Sequence, residues 1–329
     1  MTYIANSERY DKMKYCFCGK SGLKLPVMSV GLWHNFGYES NYENAKNIIL
    51  TSFDTGITHF DLANNYGPPA GSAEEMFGKI LCSELKSHRD ELIISTKAGY
   101  GMWDGPYGDG GSKKYLVSSL DQSLKRMGLD YVDIFYHHRP DPDTPLWETM
   151  DALAGIVKQG KALYIGLSNY NSKQLKEASE ILKSMGVRCL IHQHNYSMLN
   201  QKNKELIPVL EEEGIGSIAF CPLAQGLLTD KYLHGIPADS RAAGHSVFLG
   251  KESITRELLE KVEQLNEIAK KRGQKLSQMA LVWALQTGKL TSVILGASKA
   301  SQITDNVEAL KNPYLSEEEL KAVETILGE

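Results

Sequence analysis

Residues 91–98 (ELIISTKA), 112–127 (SKKYLVSSLDQSLKRM) and 132–137 (VDIFYH) form the stretch of sequence that decides the fold. The first and third segments are short apolar runs with little alternation, which is typical of strands buried on both faces. The segment between them has a helical pattern, and Gly128 ends it. The stretch therefore predicts a strand, a helix and a second strand of one parallel sheet.

The same order of apolar run, polar turn and helical pattern recurs along the rest of the chain. The other predicted strands are Val27–Gly31, His59–Ala63, Ala162–Leu167, Arg188–His192, Gly216–Phe220 and Ser292–Leu295. The other predicted helices are Asn44–Phe53 with Gly56 as its stop signal, Ser72–Leu85, Leu146–Lys158, Ser172–Met185, Lys202–Glu212, Arg256–Lys270 and Leu276–Leu285.

Eight strands with their helices predict an α/β fold, a (β/α)8 TIM barrel with extra helices. An open doubly wound sheet usually has fewer units than this. Residues 14–26 predict a hairpin ahead of the first barrel strand. Because no low-complexity linker divides the sequence, residues 1–329 are predicted to form a single barrel domain.

Composition and charge exclude several classes of protein. Hydrophobic residues make up 42% and charged residues 23% of the chain, and its formal net charge is −4, which does not suit a nucleic-acid surface. The five cysteines are scattered, so neither a disulfide framework nor a zinc site is predicted. The N-terminus has no apolar signal segment and no apolar run approaches the roughly 18 residues of a membrane span, so we expect a cytoplasmic protein.

Polar side chains stand where several predicted strands end, which is where barrel enzymes place their chemistry. Asp61, Lys97 and His138 end three consecutive strands, and Tyr66 follows Asp61 by five residues on the loop NNYGPPAG. The other residues at strand ends are Trp33, Ser168 with Asn169, Gln193, Phe220 and Gly296 to Ser298.

These four residue types suit the reduction of a carbonyl group. Asp61 and Lys97 can pair across the barrel mouth, and an ammonium beside Tyr66 is expected to lower the pKa of the phenol from its reference of about 10. Tyr66 is then a proton donor for the carbonyl oxygen, and His138 positions that oxygen. Each residue alone has an ordinary structural explanation: an ion pair, a loop aromatic, a half-buried histidine. Their combination on three adjacent units favours the catalytic interpretation.

Asp61, Tyr66, Lys97 and His138 match the Asp–Tyr–Lys–His tetrad of the aldo-keto reductases, and the resemblance covers nearly the whole chain. Three further stretches resemble the bacterial L-glyceraldehyde 3-phosphate reductases, which are relatives of the voltage-gated potassium channel β subunits. They are DLANNYGPPAGSAEE (61–75), STKAGYGMWDGPYGDGGSKKYL (95–116) and SLDQSLKRMGLDYVDIFYHHRPD (119–141). The channel subunits carry Asn where this chain has His138, so the resemblance implies a working reductase.

The resemblance implies reduction of small aldehydes, such as L-glyceraldehyde 3-phosphate or methylglyoxal, by NADP(H). The hydride would come from the nicotinamide C4 and the proton from Tyr66. The substrate would meet Trp33, Tyr66, Trp103, His138 and Arg139, with Arg139 or Lys113 against a phosphate. Relatives assemble into tetramers or larger, so a homo-oligomer is one expectation, although no periodicity in the sequence marks an interface.

The sequence contains neither of two common nucleotide-binding motifs. No GxGxxG follows the first strand, and the Gly-rich segment 99–111 has P-loop spacing but carries Gly111 in place of the lysine. That segment is therefore interpreted as a loop over the barrel mouth. Barrels often bind phosphate at the loops after their last two strands, here CPLAQGLLTDKY and LGASKASQITDN.

By resemblance, Ser168, Asn169 and Gln193 would hold the nicotinamide carboxamide and Phe220 would stack on its ring. Lys231 and Arg241 would pair the 2′-phosphate, although Gln302 replaces an Arg of many relatives. The remaining positions by resemblance are Trp33, Pro222, Leu223, Gly226 and Leu227 along the nicotinamide and pyrophosphate, and Gly296, Ser298, Gln302, Asp305 and Asn306 toward the adenosine. Asp305 and Asn306 also fit an ordinary helix surface.

Two other classes of protein remain open from the sequence. His192 and His194 form H-x-H on a strand, which puts both rings on one face and is compatible with a metal-dependent barrel hydrolase, although no further ligand is found. An NADPH-binding redox sensor or regulatory subunit with slow turnover is the other alternative. A metal assay on the purified protein tests the hydrolase, and NADPH oxidation by small aldehydes separates the sensor from a reductase.

Overall fold

The computed structural model describes residues 3–233, 250 and 254–328. Ten strands are present in this part of the chain: β1 Tyr15–Phe17, β2 Lys24–Pro26, β3 Met28–Gly31, β4 His59–Asp61, β5 Ile93–Ala98, β6 Val132–His137, β7 Ala162–Ser168, β8 Cys189–Asn195, β9 Gly216–Phe220 and β10 Ser292–Leu295. The α-helices there are α1 Tyr42–Asp54, α2 Ser72–Ile80, α3 Lys113–Met127, α4 Leu146–Lys158, α5 Ser172–Ser184, α6 Leu206–Glu213, α7 Arg256–Lys271, α8 Leu276–Thr287, α9 Ala300–Val307 and α10 Glu317–Leu327.

Eight parallel strands, β3 to β10, close into a barrel in chain order, and β10 pairs with β3 to complete the ring. The predicted (β/α)8 barrel is therefore confirmed. β1 and β2 form the predicted antiparallel hairpin outside the barrel sheet. None of the helices within the described residues is long and apolar enough to cross a membrane.

The predicted bounds of several elements are confirmed to the residue, among them β6, α4, β9 and β10. α3 begins after Ser112, whose side chain accepts a hydrogen bond from the Tyr115 N–H, and it ends at Gly128 in the left-handed conformation that glycine adopts readily. α2 ends at Ile80, earlier than predicted, and continues as a π-helical turn, Leu81–Leu85.

Several other predicted bounds are wrong by a few residues, including those of α6, β4 and β8. α6 begins at Leu206 and not at Lys202, because Pro208 has no N–H to donate and is tolerated only in the first turn of a helix. β4 ends at Asp61 and not at Ala63. β8 continues to Asn195, past the predicted end at His192, and there Gln193 is buried beside Asp61 while His194 is buried on the opposite face.

The barrel interior changes from apolar to polar along its axis. At the end covered by the hairpin, one buried cluster joins the hairpin residues Cys18 and Leu25 to strand residues; those strand residues are Ile134, Tyr136, Leu190, Ile191, Ile218 and Ile294. Toward the carboxyl ends of the strands, the buried side chains become polar, and they include His59, Asp61, Ser95 and Lys97. Along each strand, the inward residues of the apolar and polar parts alternate with outward residues that pack under the helices. This follows from the two-residue period of side chains along a strand. Buried polar side chains thus lie beneath the mouth formed by the carboxyl ends of the strands.

Several histidines are buried in their neutral form, and this predicts a dependence of stability on pH. Burial lowers the pKa of His59, His137 and His194 from 6.5 to about 4. Since the unfolded chain takes up protons below about pH 6.5 and the folded chain does not, the free energy of unfolding should fall as the pH drops from 6.5 toward 4. Each histidine contributes at most about 1.4 kcal/mol per pH unit.

Urea denaturation at pH 7 and pH 5 measures this effect. We expect a clear loss of stability at pH 5, and we expect His194→Asn to reduce the loss because it removes one of the titrating groups. Equal stability at both pH values would contradict the buried neutral histidines.

Candidate active site

Three neighbouring strands bring Asp61, Lys97 and His138 to one place. β4, β5 and β6 are adjacent in the barrel, and Asp61 pairs in register with Ser95, two residues before Lys97. His138 directly follows β6, and its backbone N–H donates to the Ala98 carbonyl at 2.9 Å. The predicted meeting of the strand-end side chains is confirmed.

Asp61 and Lys97 form a buried ion pair between the carboxyl ends of β4 and β5. The Lys97 Nζ lies 2.6 Å from Asp61 Oδ2 and donates a second hydrogen bond of 2.6 Å to the Leu62 carbonyl. The side chains are 0% and 3% exposed, so neither charge is screened by water. Burial lowers the pKa of Lys97, and the adjacent Asp61 carboxylate opposes that change.

Tyr66 returns over the pair from the loop after β4, as its position in the sequence predicts. Its ring centroid lies 4.9 Å from Lys97 Nζ and 5.9 Å from the ring of His138, which meets it edge-on. On its other side the Tyr66 ring stacks on Trp33 with a centroid separation of 5.3 Å.

The expected lowering of the Tyr66 pKa was wrong. Burial raises the pKa of the Tyr66 phenol well above 10, and the negative charge of Asp61 adds to the rise. The physical reason is that the buried phenol loses its solvent, which disfavours the charged phenolate, and the nearby Asp61 carboxylate disfavours it further. Tyr66 is therefore protonated throughout the neutral pH range.

Burial also keeps His138 neutral. Its pKa is lowered well below 6.5 by loss of solvent, and Lys97, His137 and Arg139 lower it further. A neutral imidazole donates from one nitrogen only. The buried His138 Nδ1 has no hydrogen-bond partner in the part of the chain described above, and the ring meets Tyr100 edge-on at 4.7 Å.

The residues predicted for the nicotinamide lie beside the tetrad. Ser168 and Gln193 are buried at the carboxyl ends of β7 and β8, and Gln193 Nε2 lies 3.3 Å from Asp61 Oδ1. Asn169 has a φ of +63°, and its side chain donates to the His138 carbonyl at 3.0 Å. A left-handed backbone in a residue other than glycine is uncommon and clusters at ligand sites.

Phe220 is the last residue of β9 and is half-buried. The loop that follows it contains left-handed residues at Cys221, Ala224, Gln225 and Gly226, with φ values of 54°, 46°, 60° and 97°. Three other predicted cofactor residues share this loop: Pro222 is buried, and Leu223 and Leu227 are half-buried. The loop is a second concentration of unusual backbone at the same mouth.

The residues predicted for the adenosine end belong to the loop after β10 and to α9, with Gly296 and Ser298 exposed on the loop. The Ser298 N–H donates to Gln302 Oε1 at 2.7 Å, so the glutamine side chain folds back on the loop. Asp305 pairs with Lys275 at 2.6 Å, and Asn306 is buried. Lys231 is exposed, and Arg241 lies outside the described residues.

The candidate substrate residues around the tetrad are already engaged with the protein. Arg139 donates two hydrogen bonds of 3.0 Å to Asp109 and lies over the Tyr100 ring at 4.9 Å. Lys113 pairs with Asp151 at 2.7 Å. Trp103 is half-buried, on the Gly-rich loop interpreted above as a cover for the mouth.

His192 and His194 lie on the face of β8 opposite Gln193, with their Nδ1 atoms 3.2 Å apart. Within residues 3–233, 250 and 254–328, no group of three His, Cys, Asp or Glu side chains is arranged to hold a metal ion.

The polar support beneath the Asp61–Lys97 pair was missed from the sequence. Ser95 donates to Asp61 Oδ1 at 2.7 Å, and His59 lies next to Ser95. The spacing in the sequence could have predicted this support. His59 and Ser95 each precede a tetrad residue by two positions on a strand and therefore share its inward face.

Comparison with known proteins agrees with this geometry. The aldo/keto reductase family model matches residues 27–327. The chain is 54% identical over 329 residues to L-glyceraldehyde 3-phosphate reductase of Escherichia coli K12, covering 98% of this chain and 95% of that protein. It is 38% identical to a probable voltage-gated potassium channel subunit beta of Arabidopsis thaliana, covering 91% of both, and 36% identical to one of rice, covering 96% and 97%.

A closed parallel barrel with an Asp, a Lys, a Tyr and a His at its mouth, together with these matches, defines an oxidoreductase. The chain belongs to the aldo/keto reductase family. Reductases of this family generally use NAD(P)H.

Proposed function

We propose that the chain reduces small aldehydes to alcohols with NADPH, with Asp61, Tyr66, Lys97 and His138 as its catalytic residues. The observation that carries the proposal is the meeting of the Tyr66 and His138 rings above one buried Asp61–Lys97 pair. L-Glyceraldehyde 3-phosphate is the first candidate substrate, because the 54% identical relative is named as its reductase. Methylglyoxal, another small aldehyde, is the second.

In this proposal a bound nicotinamide supplies the hydride to the aldehyde carbon. The neutral His138 donates an N–H to the carbonyl oxygen and fixes its position. Tyr66 donates its phenolic proton to the same oxygen as negative charge develops there. The Lys97 ammonium stabilises the phenolate left behind, and Asp61 holds that ammonium in place.

The residues at the mouth fit a nicotinamide cofactor. Ser168, Asn169 and Gln193 offer a hydroxyl and two amides beside the tetrad, and Phe220 offers an aromatic face for stacking. The left-handed cluster after Phe220 supports a loop shaped for a ligand, whose backbone groups would line the pyrophosphate. The substrate would lie between this cofactor site and Trp33, Trp103 and Arg139.

The preference for NADPH rests on Lys231 and Arg241 as partners of the 2′-phosphate, with Ser298, Asp305 and Asn306 toward the adenosine. Gln302, at the start of α9, is a neutral residue in the same region. We predict that Gln302→Arg lowers the KM for NADPH about five- to tenfold, because an added guanidinium can pair the phosphate at a helix N-terminus.

Initial rates with each cofactor measure this effect. The KM for NADH should stay unchanged, since NADH has no 2′-phosphate, and Gln302→Met should give no gain with either cofactor. An equal gain with NADH would contradict a phosphate contact at this position.

A panel of aldehydes and ketones assayed with NADPH and with NADH tests the proposed function. We expect rapid NADPH oxidation by L-glyceraldehyde 3-phosphate and by methylglyoxal. Tight NADPH binding with negligible turnover would overturn the proposal in favour of a cofactor-binding sensor. A stoichiometric transition metal in the purified protein, with hydrolytic activity, would favour a metal-dependent hydrolase.

A further inference from the structure

A line of buried hydrogen bonds, here called the polar line, runs through the barrel interior and ends on the Asp61 carboxylate. Ser292 Oγ on β10 lies 2.7 Å from Ser29 Oγ on β3, and Ser29 Oγ lies 2.8 Å from His59 Nδ1 on β4. His59 Nε2 lies 2.9 Å from Ser95 Oγ on β5, which lies 2.7 Å from Asp61 Oδ1. The exposed fractions of the line's four side chains are all 0%, so water does not compete for these bonds.

The donor and the acceptor of every hydrogen bond in the polar line follow from the Asp61 carboxylate at its end. An ionised carboxylate only accepts, so the Ser95 hydroxyl donates to Asp61 and its oxygen must accept from His59 Nε2. His59 is neutral, because burial lowers its pKa to about 4, and it has one N–H to give. Its Nδ1 therefore accepts from Ser29, and Ser29 accepts from Ser292. All donors point toward Asp61, and bonds aligned in this way strengthen one another.

The polar line holds one oxygen of the Asp61 carboxylate through Ser95, at 2.7 Å, and the Gln193 amide donates to the same oxygen at the longer distance of 3.3 Å. With Ser95 on Asp61 Oδ1, the second oxygen, Oδ2, is directed at the Lys97 Nζ, 2.6 Å away. That ammonium lies 4.9 Å from the centroid of the Tyr66 ring. A change in the Ser95 hydroxyl is thus transmitted through one carboxylate to the charge beneath the phenol.

We propose that His59 is a positioning residue for aldehyde reduction: its Nε2–H holds the Ser95 hydroxyl on Asp61, and thereby holds Lys97 beneath Tyr66. The proposal deepens the function proposed above and rests on it. A histidine that merely fills the core predicts a loss of stability alone. A positioning residue predicts a loss of kcat that depends on the Nε2–H.

The paired variants His59→Asn and His59→Gln separate these two roles. The Asn amide reaches only the place of Nδ1, next to Ser29, whereas the longer Gln amide reaches the place of Nε2 and can donate to Ser95. We expect His59→Asn to lower kcat at least about tenfold and His59→Gln to keep it within about threefold. The KM for the aldehyde and the Kd for NADPH should change less than about twofold in both. Ser95→Ala, a small change at the next position of the polar line, should behave like His59→Asn.

His194→Asn is the matched control, since it makes the same change at a buried histidine on the helix-facing side of β8. It should lower stability and leave kcat within about threefold. Equal losses of kcat in His59→Asn, His59→Gln and His194→Asn would overturn the positioning role.

A second measurement is independent of turnover. Titration of ¹³C-labelled lysine by NMR in the cofactor-free protein reports the pKa of Lys97, whose signal is identified by its absence in Lys97→Met. The groups that face Lys97 are the acids Asp61 and Glu74, the phenols of Tyr66 and Tyr136, and His138, and the two acids raise the pKa that burial lowers.

If the polar line holds Asp61 on Lys97, the pKa of Lys97 should fall by about half a unit in His59→Asn and in Ser95→Ala. It should not change in His59→Gln or His194→Asn. An unchanged pKa in His59→Asn would overturn the inference. The wild-type assay separates the two claims: an inactive wild-type protein refutes the proposed function, while the NMR contrast still decides whether His59 acts on Lys97.

Discussion

Tyr66→Phe should lower the kcat for aldehyde reduction by about 10²- to 10⁴-fold and leave the Kd for NADPH within about threefold. The variant removes only the phenolic oxygen, which the proposal uses to deliver a proton in the transition state. The ring that stacks on Trp33 and meets His138 is retained, so the shape of the site is retained. Rates follow from the loss of NADPH absorbance, and Kd from the fluorescence of the bound cofactor.

Tyr100→Phe is the matched control for this variant. Tyr100 also meets the His138 ring, at 4.7 Å, and the substitution again removes one phenolic oxygen. We expect its kcat to stay within about threefold of wild type. Comparable losses in the two variants, or equal losses of kcat and cofactor binding in Tyr66→Phe, would contradict Tyr66 as the proton donor.

Lys97→Met should abolish reduction and also lower the free energy of unfolding by about 3–5 kcal/mol, because it leaves the Asp61 carboxylate buried without its partner. The double variant Asp61→Asn with Lys97→Met removes both charges. It should recover most of the lost stability and none of the activity. Urea denaturation and the NADPH assay on the same preparations measure the two effects.

The separation of these two effects is the informative result. Recovery of activity in the double variant would show that Lys97 serves only to neutralise Asp61. A stable single variant would contradict the buried ion pair. The structure also changes the reason for the expected loss of activity in Lys97→Met. The pKa of the Tyr66 phenol is high even with Lys97 present, so the ammonium acts on the phenolate formed in the reaction.

Much of the fold follows from local sequence pattern. β6 and β9 are short, mostly apolar runs between polar turns, and their bounds were predicted to the residue. β8 was predicted too short because the polar residues Gln193 and His194 follow the apolar run, although both are buried, Gln193 toward Asp61 and His194 on the opposite face. α10 was missed, yet Ser316 and Glu319 form a capping box that indicates its start.

The candidate site also has features that the sequence predicts and features that it does not. Asp61 and Lys97 were predicted to meet because neighbouring parallel strands end at one mouth, and the structure confirms this. The direction of the Tyr66 pKa shift could not be predicted, since it depends on the burial of the phenol and on its distance from the Asp61 carboxylate. The polar line could not be predicted from local pattern either, because Ser29 and Ser292 are separated by 263 positions and meet only when β10 closes the barrel on β3.

The central claim, direct reduction of an aldehyde by NADPH at this barrel mouth, is tested most directly by isotope transfer. The protein is incubated with L-glyceraldehyde 3-phosphate and NADPH deuterated at the nicotinamide C4, and the alcohol is analysed by mass spectrometry. The account predicts one deuterium on the carbon that was the aldehyde, formed by the wild type and not by Tyr66→Phe. Absence of the alcohol, or an alcohol without deuterium, would contradict it.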